Sequence, residues 1–203
     1  LALISINAFS QASSAGIKVN EERLEGRIFE LAKFGKDING KGYRVAFTKG
    51  DQEGRAWFIN IMKKAGLQVS IDFAGNIIGK RNGKNPLLHP IAFGSHIDMV
   101  PDGGNYDGCV GSIGALEIIE VLNDSNTVTE HPLEVIIFSN EEGGTIGSMA
   151  MAGHLTTEGL KQVSQSGLTM ADGIKAIGGN PDSLQYSIRK KGEIKAFLEL
   201  HIE

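Results

Sequence analysis

Cysteine is almost missing: Cys109 is the only one in 203 residues. A single thiol rules out an intramolecular disulfide framework and any cysteine-based zinc cluster. A cationic excess is missing too, since 20 Lys and Arg stand against 24 Asp and Glu, a formal net charge of −4. A nucleic-acid binder needs a basic stripe to replace phosphate counterions, so that class is set aside. No window approaches the ~18 uninterrupted apolar residues of a membrane-spanning helix. Neither Gly103-Gly104 nor Gly143-Gly144 is followed by Gly-Lys-Ser/Thr, so there is no phosphate loop. Repeats and low-complexity tracts are absent as well.

What is present is ordinary globular chemistry, 41% hydrophobic and 22% charged, with glycine as the outlier at 27 residues. That is nearly twice the usual ~7% and implies many tight turns or close backbone approaches. Residues 1–9 are apolar and 10–15 small, with Ser13 and Ala15 at the −3 and −1 positions before Gly16. The pattern predicts a truncated secretory leader over 1–15, lacking its basic front. A real leader places the protein in the periplasm or outside the cell; a plain apolar terminus leaves it in the cytoplasm. At the other end, Ile194, Ala196, Leu198, Leu200 and Ile202 alternate, which predicts a half-buried strand over 193–202 at which the sequence stops. The chain therefore reads as a fragment at both ends.

Between the ends, Asn20 is expected to cap a helix to about 36, with Leu24, Ile28, Leu31 and Ala32 as its apolar stripe. Asp51 is expected to cap a second helix that buries Trp57, Phe58, Ile61 and Met62 and stops at Gly66. A strand over 67–73, a turn at Gly75-Asn76, a short strand at Ile77-Ile78 and a loop over 80–86 follow. Strands over 90–94 and 133–138 and the closing one alternate with helices over 112–122 and from Thr169 to Ile177. This order predicts an α/β fold, a mainly parallel sheet flanked by helices on both faces.

In such sheets ligands bind outside the carboxyl ends of the strands. After the first apolar strand comes Gly94-Ser-His96-Ile-Asp98. His96 and Asp98, two apart, project to one side, where the carboxylate can take the second imidazole N–H and leave the other nitrogen for a metal. Asp107 follows on a glycine-rich loop, Glu141 and Glu142 follow the second strand, and His201 lies near the end of the third. Singly, each has a bland reading: a satisfied histidine, a turn aspartate, a solvated glutamate pair. Together they bring two imidazoles and four carboxylates to one sheet edge, a donor set suited to Zn, Mn, Co or Ni, and to two ions if a carboxylate bridges. Spacing does not divide the roles of Glu141 and Glu142. His89, His131 and His154 read as structural or surface residues, Cys109 as an inert buried thiol, and Arg189-Lys190-Lys191 as a solvated loop.

The runs Gly94-Ser-His-Ile-Asp-Met-Val-Pro-Asp-Gly-Gly-Asn-Tyr-Asp-Gly108, Asn140-Glu-Glu-Gly143 and Glu199-Leu-His-Ile-Glu203 resemble the M20 metallopeptidase-like family. The resemblance extends from about 19 to 203 and includes Asp72-Phe-Ala-Gly-Asn76. The Glu-Leu-His-Ile-Glu ending is similar to the amidohydrolase branch of N-carbamoyl-L-amino-acid hydrolases, β-ureidopropionases and allantoate amidohydrolases. The resemblance implies that 16–203 is the first part of a catalytic domain holding two divalent ions. It gives His96 and His201 to one metal, Glu142 to the other, Asp107 as the bridge, Asp98 as the residue orienting His96 and Glu141 as the general base. It also implies a homodimer acting on a small-molecule ureido or N-carbamoyl substrate, with no nucleic acid or membrane partner. A further metal-binding His and a smaller lid or dimerisation domain belong to the family pattern and lie beyond this stretch. The run after Glu142 is Gly143-Gly-Thr-Ile-Gly-Ser148 where the branch has Ser-Arg-Phe, which keeps an M20-type aminoacylase or dipeptidase open. A non-catalytic metal-binding interaction domain is the rival from outside enzymes, and a carboxylate placed as a base speaks against it.

Overall fold

The computed structural model describes residues 17–202; the leader expected over 1–15 lies outside them. Five strands form one sheet in the order β1-β2-β4-β3-β5, where β1 is Gln68–Ile71, β2 Ile77–Arg81, β3 Ile91–His96, β4 Leu133–Phe138 and β5 Ala196–Leu198. The strands read from the βαβ pattern pair in parallel, β3 with β4 and β3 with β5. The hairpin β1–β2 joins antiparallel to β4, so the sheet is mixed. A two-residue-scale turn at Gly75-Asn76 can only make an antiparallel hairpin, whereas β3 to β4 has a helix to cross over with.

That crossover is α3 (Cys109–Asp124), which packs with α1 (Glu21–Leu31) and α2 (Lys49–Lys64) on one face of the sheet. Val135 and Ile137 of β4 meet Phe58, Met62, Ile113, Leu116 and Ile119 there. Ile136, between them, points to the other face and packs with Ile78, Ala92 and Met151 of α4 (Ile146–Met151). A strand apolar on both sides is what a sheet covered on both faces demands. Ala46, Phe47 and Ile146 form a third cluster with Met170 and Ile174 of α6 (Met170–Ala176), which is capped by Thr169 as expected. A short α5 (Thr157–Lys161) and a 3₁₀ turn (Pro181–Tyr186) complete the elements. No helix among the described residues is long and apolar enough to cross a membrane.

Among the boundaries that differ from the sequence reading, three have a visible reason. Asn20 caps α1, but the helix ends at Leu31 because the carbonyls of Leu31 and Phe34 are taken by the Arg44 guanidinium and Gly35 turns the chain at φ +66°. Thr48, not Asp51, caps α2; Asp51 is its third residue and reaches back to accept the Phe47 N–H at 2.8 Å. The strand expected over 193–202 shrinks to β5, whose three residues are all exposed. Among the described residues it bonds to β3 alone.

Candidate metal centre

His96 ends β3 and is fully buried. Its Nδ1 lies 3.1 Å from the backbone carbonyl of Asp98, which can only accept, so Nδ1 carries the proton and Nε2 presents a lone pair. The Asp98 carboxylate, expected to take that proton, stands 3.7 Å from Nδ1, because it is turned to the chain after β4. There it accepts the backbone N–H of Glu141 and of Glu142 at 3.2 Å each. One side chain therefore ties the end of β3 to the turn after β4. Burial pushes the Asp98 carboxyl above its ordinary range, against the pull of His96.

Asp107 arrives on the loop before α3. Gly108 follows it at φ +63°, where a Cβ would collide with the His96 imidazole. Glycine alone lets this backbone ride against the ring. His201 comes from the chain beyond β5. Ser95 Oγ donates to Glu199 Oε1 at 2.6 Å, and Gly111 of α3 leaves room for the Leu200 carbonyl, where any side chain would strike it. The His201 Nδ1 lies 2.7 Å from the Ile202 carbonyl, which can only accept, so Nδ1 carries a proton and Nε2 is the atom turned to the site. The hydrogen bond to that carbonyl, with Asp107, Glu199 and Glu141 nearby, holds the imidazole above its usual value despite some burial.

The two Nε2 atoms stand 3.3 Å apart, and Asp107 Oδ1 is 3.8 Å from the first and 3.4 Å from the second. Donor atoms of His96, Asp107 and His201 all lie within 4.8 Å of one another. Asp107 Oδ1 is buried and has no hydrogen-bond partner. Three groups able to offer lone pairs converge here, and the Asp107 oxygen receives no hydrogen bond, an arrangement that a cation between them would satisfy. Imidazole and carboxylate are the donors that first-row divalent ions take. The residues fit a metal.

Glu141 Oε2 lies 3.5 Å from His96 Nε2 and its side chain remains one-third exposed, open to solvent and reactants. Glu142 is adjacent and outside the mutually close trio, but Asp107, His96 and Glu141 all act on it electrostatically; burial first, then Asp107, raises its carboxyl. All six residues singled out in the sequence thus converge on one edge of the sheet. The remaining readings divide. Burial raises the Cys109 thiol, as an inert cysteine requires, although Arg44 Nη2 donates to its sulfur at 3.1 Å. His131 is half-buried and its Nδ1 bonds to the His89 carbonyl at 2.7 Å. Arg189, read as solvated, instead donates to the buried Glu134 carboxylate at 2.9 Å. Arg44 and Asn76, both fully buried, escaped the sequence reading as supports of the site. For Asn76 the signal was the Asp72-x-x-Gly-Asn76 spacing; for Arg44 it was a cation embedded in Val-Ala-Phe with no carboxylate nearby in sequence.

The chain is 40% identical over 190 residues to an N-carbamoyl-L-amino acid amidohydrolase of Geobacillus stearothermophilus, covering 91% of this chain and 46% of that protein. It is 37% identical over 201 residues to a ureidoglycolate hydrolase of Arabidopsis thaliana, covering 94% and 42%. The fold superposes on a hydantoinase/carbamoylase family amidase from Burkholderia ambifaria with a TM-score of 0.82 at 31% identity, over 92% of this chain and 46% of that one. The chain thus spans about half the length of the relatives it matches. With residues 92–203 matching the family description as well, the chain belongs to peptidase family M20/M25/M40.

Proposed function

We propose that this chain carries the first part of the active site of a metal-dependent amidohydrolase that cleaves linear amide or ureido C–N bonds, with N-carbamoyl amino acids or allantoate-type ureido acids as substrates. The observation that carries the reading is the convergence of ligand atoms of His96, His201 and Asp107 on one point, with the buried Asp107 oxygen left unpartnered. His96, His201 and Asp107 would hold one divalent ion, Zn or Mn, Co or Ni, and Asp107 and Glu142 would serve a second. When bound, such ions would supply an acidified water and positive charge for the carbonyl oxygen. Glu141 is the general base. It stands at the trio without belonging to it, takes a proton from the water and returns it to the leaving nitrogen. Asp98 keeps the His96 ring oriented and the Glu141-Glu142 backbone beside it. Names and identities of the relatives support the substrate class.

The test is ammonia release by the intact natural protein, loaded with Mn or Zn, from N-carbamoyl amino acids, β-ureidopropionate and allantoate. Dipeptides and N-acyl amino acids run alongside with free amine as the readout. Ammonia release that Glu141→Gln cuts to a small residual rate while metal content stays unchanged is the expected result. Cleavage of dipeptides or N-acyl amino acids alone moves the protein to the aminoacylase or dipeptidase reading, which the short run between Glu142 and α4 favours. No turnover of any substrate in either form, with metal bound, indicates a binding domain.

A further inference from the structure

The turn that carries Glu141 and Glu142 is held in an unfavourable backbone. Asn140 at φ +45° and Thr145 at φ +52° flank the two glutamates, both in the left-handed region that side chains disfavour. Such residues persist only where their surroundings over-determine them. One buried side chain supplies much of that determination. Asn76 Oδ1 accepts the Ser139 N–H at 3.0 Å, at the start of the turn, and Asn76 Nδ2 donates to the Gly147 carbonyl at 3.1 Å, at its end. The same Nδ2 donates to Asp72 Oδ2 at 2.9 Å, and Asp72 Oδ1 accepts the backbone N–H of Asn76 and of Ala74 at 2.9 Å each. Only one orientation of the amide satisfies these partners, because a flip would set NH₂ against an N–H and oxygen against two oxygens. Ser139 Oγ adds a bond to the Ala74 carbonyl at 2.8 Å, and Gly147 has no side chain because one would collide with the Asn76 oxygen.

We propose that Asn76 is a positioning residue for the reaction: by spanning Ser139 and Gly147 it holds the 139–147 turn in the conformation that presents Glu141. The inference rests on the reading of Glu141 as the base. A displacement of about 1 Å in a reacting group costs on the order of a hundredfold in rate. Asn76→Ser, which cannot span both ends, and Asn76→Asp, which opposes an oxygen to the Gly147 carbonyl and the Asp72 carboxylate, therefore lower kcat roughly 10- to 100-fold with KM little changed.

The experiment compares both variants in the intact natural protein, alone and combined with Glu141→Gln, with Met62→Ala in the distant core as a control of reduced stability. Three results are expected. Hydrogen exchange quickens in the peptide spanning 139–147 and stays unchanged in α3. The kcat loss appears in both Asn76 variants and is absent from Met62→Ala. On the Glu141→Gln background the same substitutions add less than about twofold, as residues acting through one group should. Unchanged exchange at 139–147, or a kcat equal to that of the control, overturns the proposal. So does failure of both variants to fold, which would make Asn76 a general structural residue. Full turnover by Glu141→Gln would instead remove the base assignment, and the exchange result would still report on the clamp.

Discussion

Arg44 is the largest fully buried side chain, and it works without a carboxylate against it. Its guanidinium donates to the carbonyls of Ile97 at 2.6 Å, Leu31 at 2.9 Å and Phe34 at 3.2 Å, and to Cys109 Sγ at 3.1 Å. It thereby caps the end of α1 and pins the backbone between His96 and Asp98. Arg44→Met keeps most of the apolar stem and removes the charge. Hydrogen bonds from a charged donor contribute about 1.5–3 kcal/mol each, so losing three to carbonyls removes roughly 5–9 kcal/mol. Against this, the desolvation of a buried cation, several kcal/mol, is recovered. Leu31 O keeps a bond from the Phe34 N–H, whereas the Ile97 and Phe34 carbonyls lose the donor described for them. The net is a destabilisation of about 3 kcal/mol, because orphaned carbonyls cost more than the cation saves. For a domain of this size that lowers the melting temperature by about 6–12 °C. Urea unfolding of Arg44→Met should show a lower midpoint at unchanged slope. A variant as stable as the parent would refute the reasoning and show that desolvation of the cation outweighs its hydrogen bonds.

Two further outcomes concern buried charge. Arg23 pairs through Nε and Nη2 with Glu117 at 2.7 and 2.9 Å, docking α1 on α3, and Glu117 is 1% exposed. Arg23→Ala strands that carboxylate and should destabilise by about 3 kcal/mol, while an Arg23→Ala/Glu117→Leu pair should recover most of the loss in denaturant titrations. Burial raises the Asp51 carboxyl above its ordinary value despite Arg55 nearby, so the folded chain holds that proton more tightly than the unfolded one. Its contribution to stability is fully present below the unfolded carboxylate value of about 3.9 and is lost as pH rises through the folded value. Relative to the parent, Asp51→Asn should therefore gain stability as pH rises through that window; a difference independent of pH would refute the assignment.

The six site residues were legible because each stands at a strand end or a turn, where local pattern already says that apolar sequence stops and polar chemistry begins. His96 ends β3, Glu141 and Glu142 follow β4, and Asp107 precedes α3. Local pattern misjudged β5, since alternation fixes which side chains share a face but not whether anything covers that face. It misjudged the cap of α2 because Thr48 and Asp51 are both capping types, and the bond from the Asp51 N–H to Thr48 Oγ1 decided between them. It read Gly75-Asn76 as a turn, which it is, and missed that the asparagine amide also reaches Ser139 and Gly147, more than sixty positions away.

The residue order by itself determined the strand–helix alternation, the family resemblance and the set of groups that could meet a metal, because periodicity, caps and motif spacing are local properties of the chain. Only the tertiary structure decided that His96 and His201, 105 residues apart, turn their Nε2 atoms toward each other and toward an unpartnered Asp107 oxygen. Only it revealed that the Asp98 carboxylate holds the Glu141-Glu142 backbone while the Asp98 carbonyl serves His96. Hydrogen-bond direction, burial and close approach at Gly108 depend on which distant backbones pack together. That packing follows from the apolar faces of β3, β4 and α3, and no short stretch of sequence contains it.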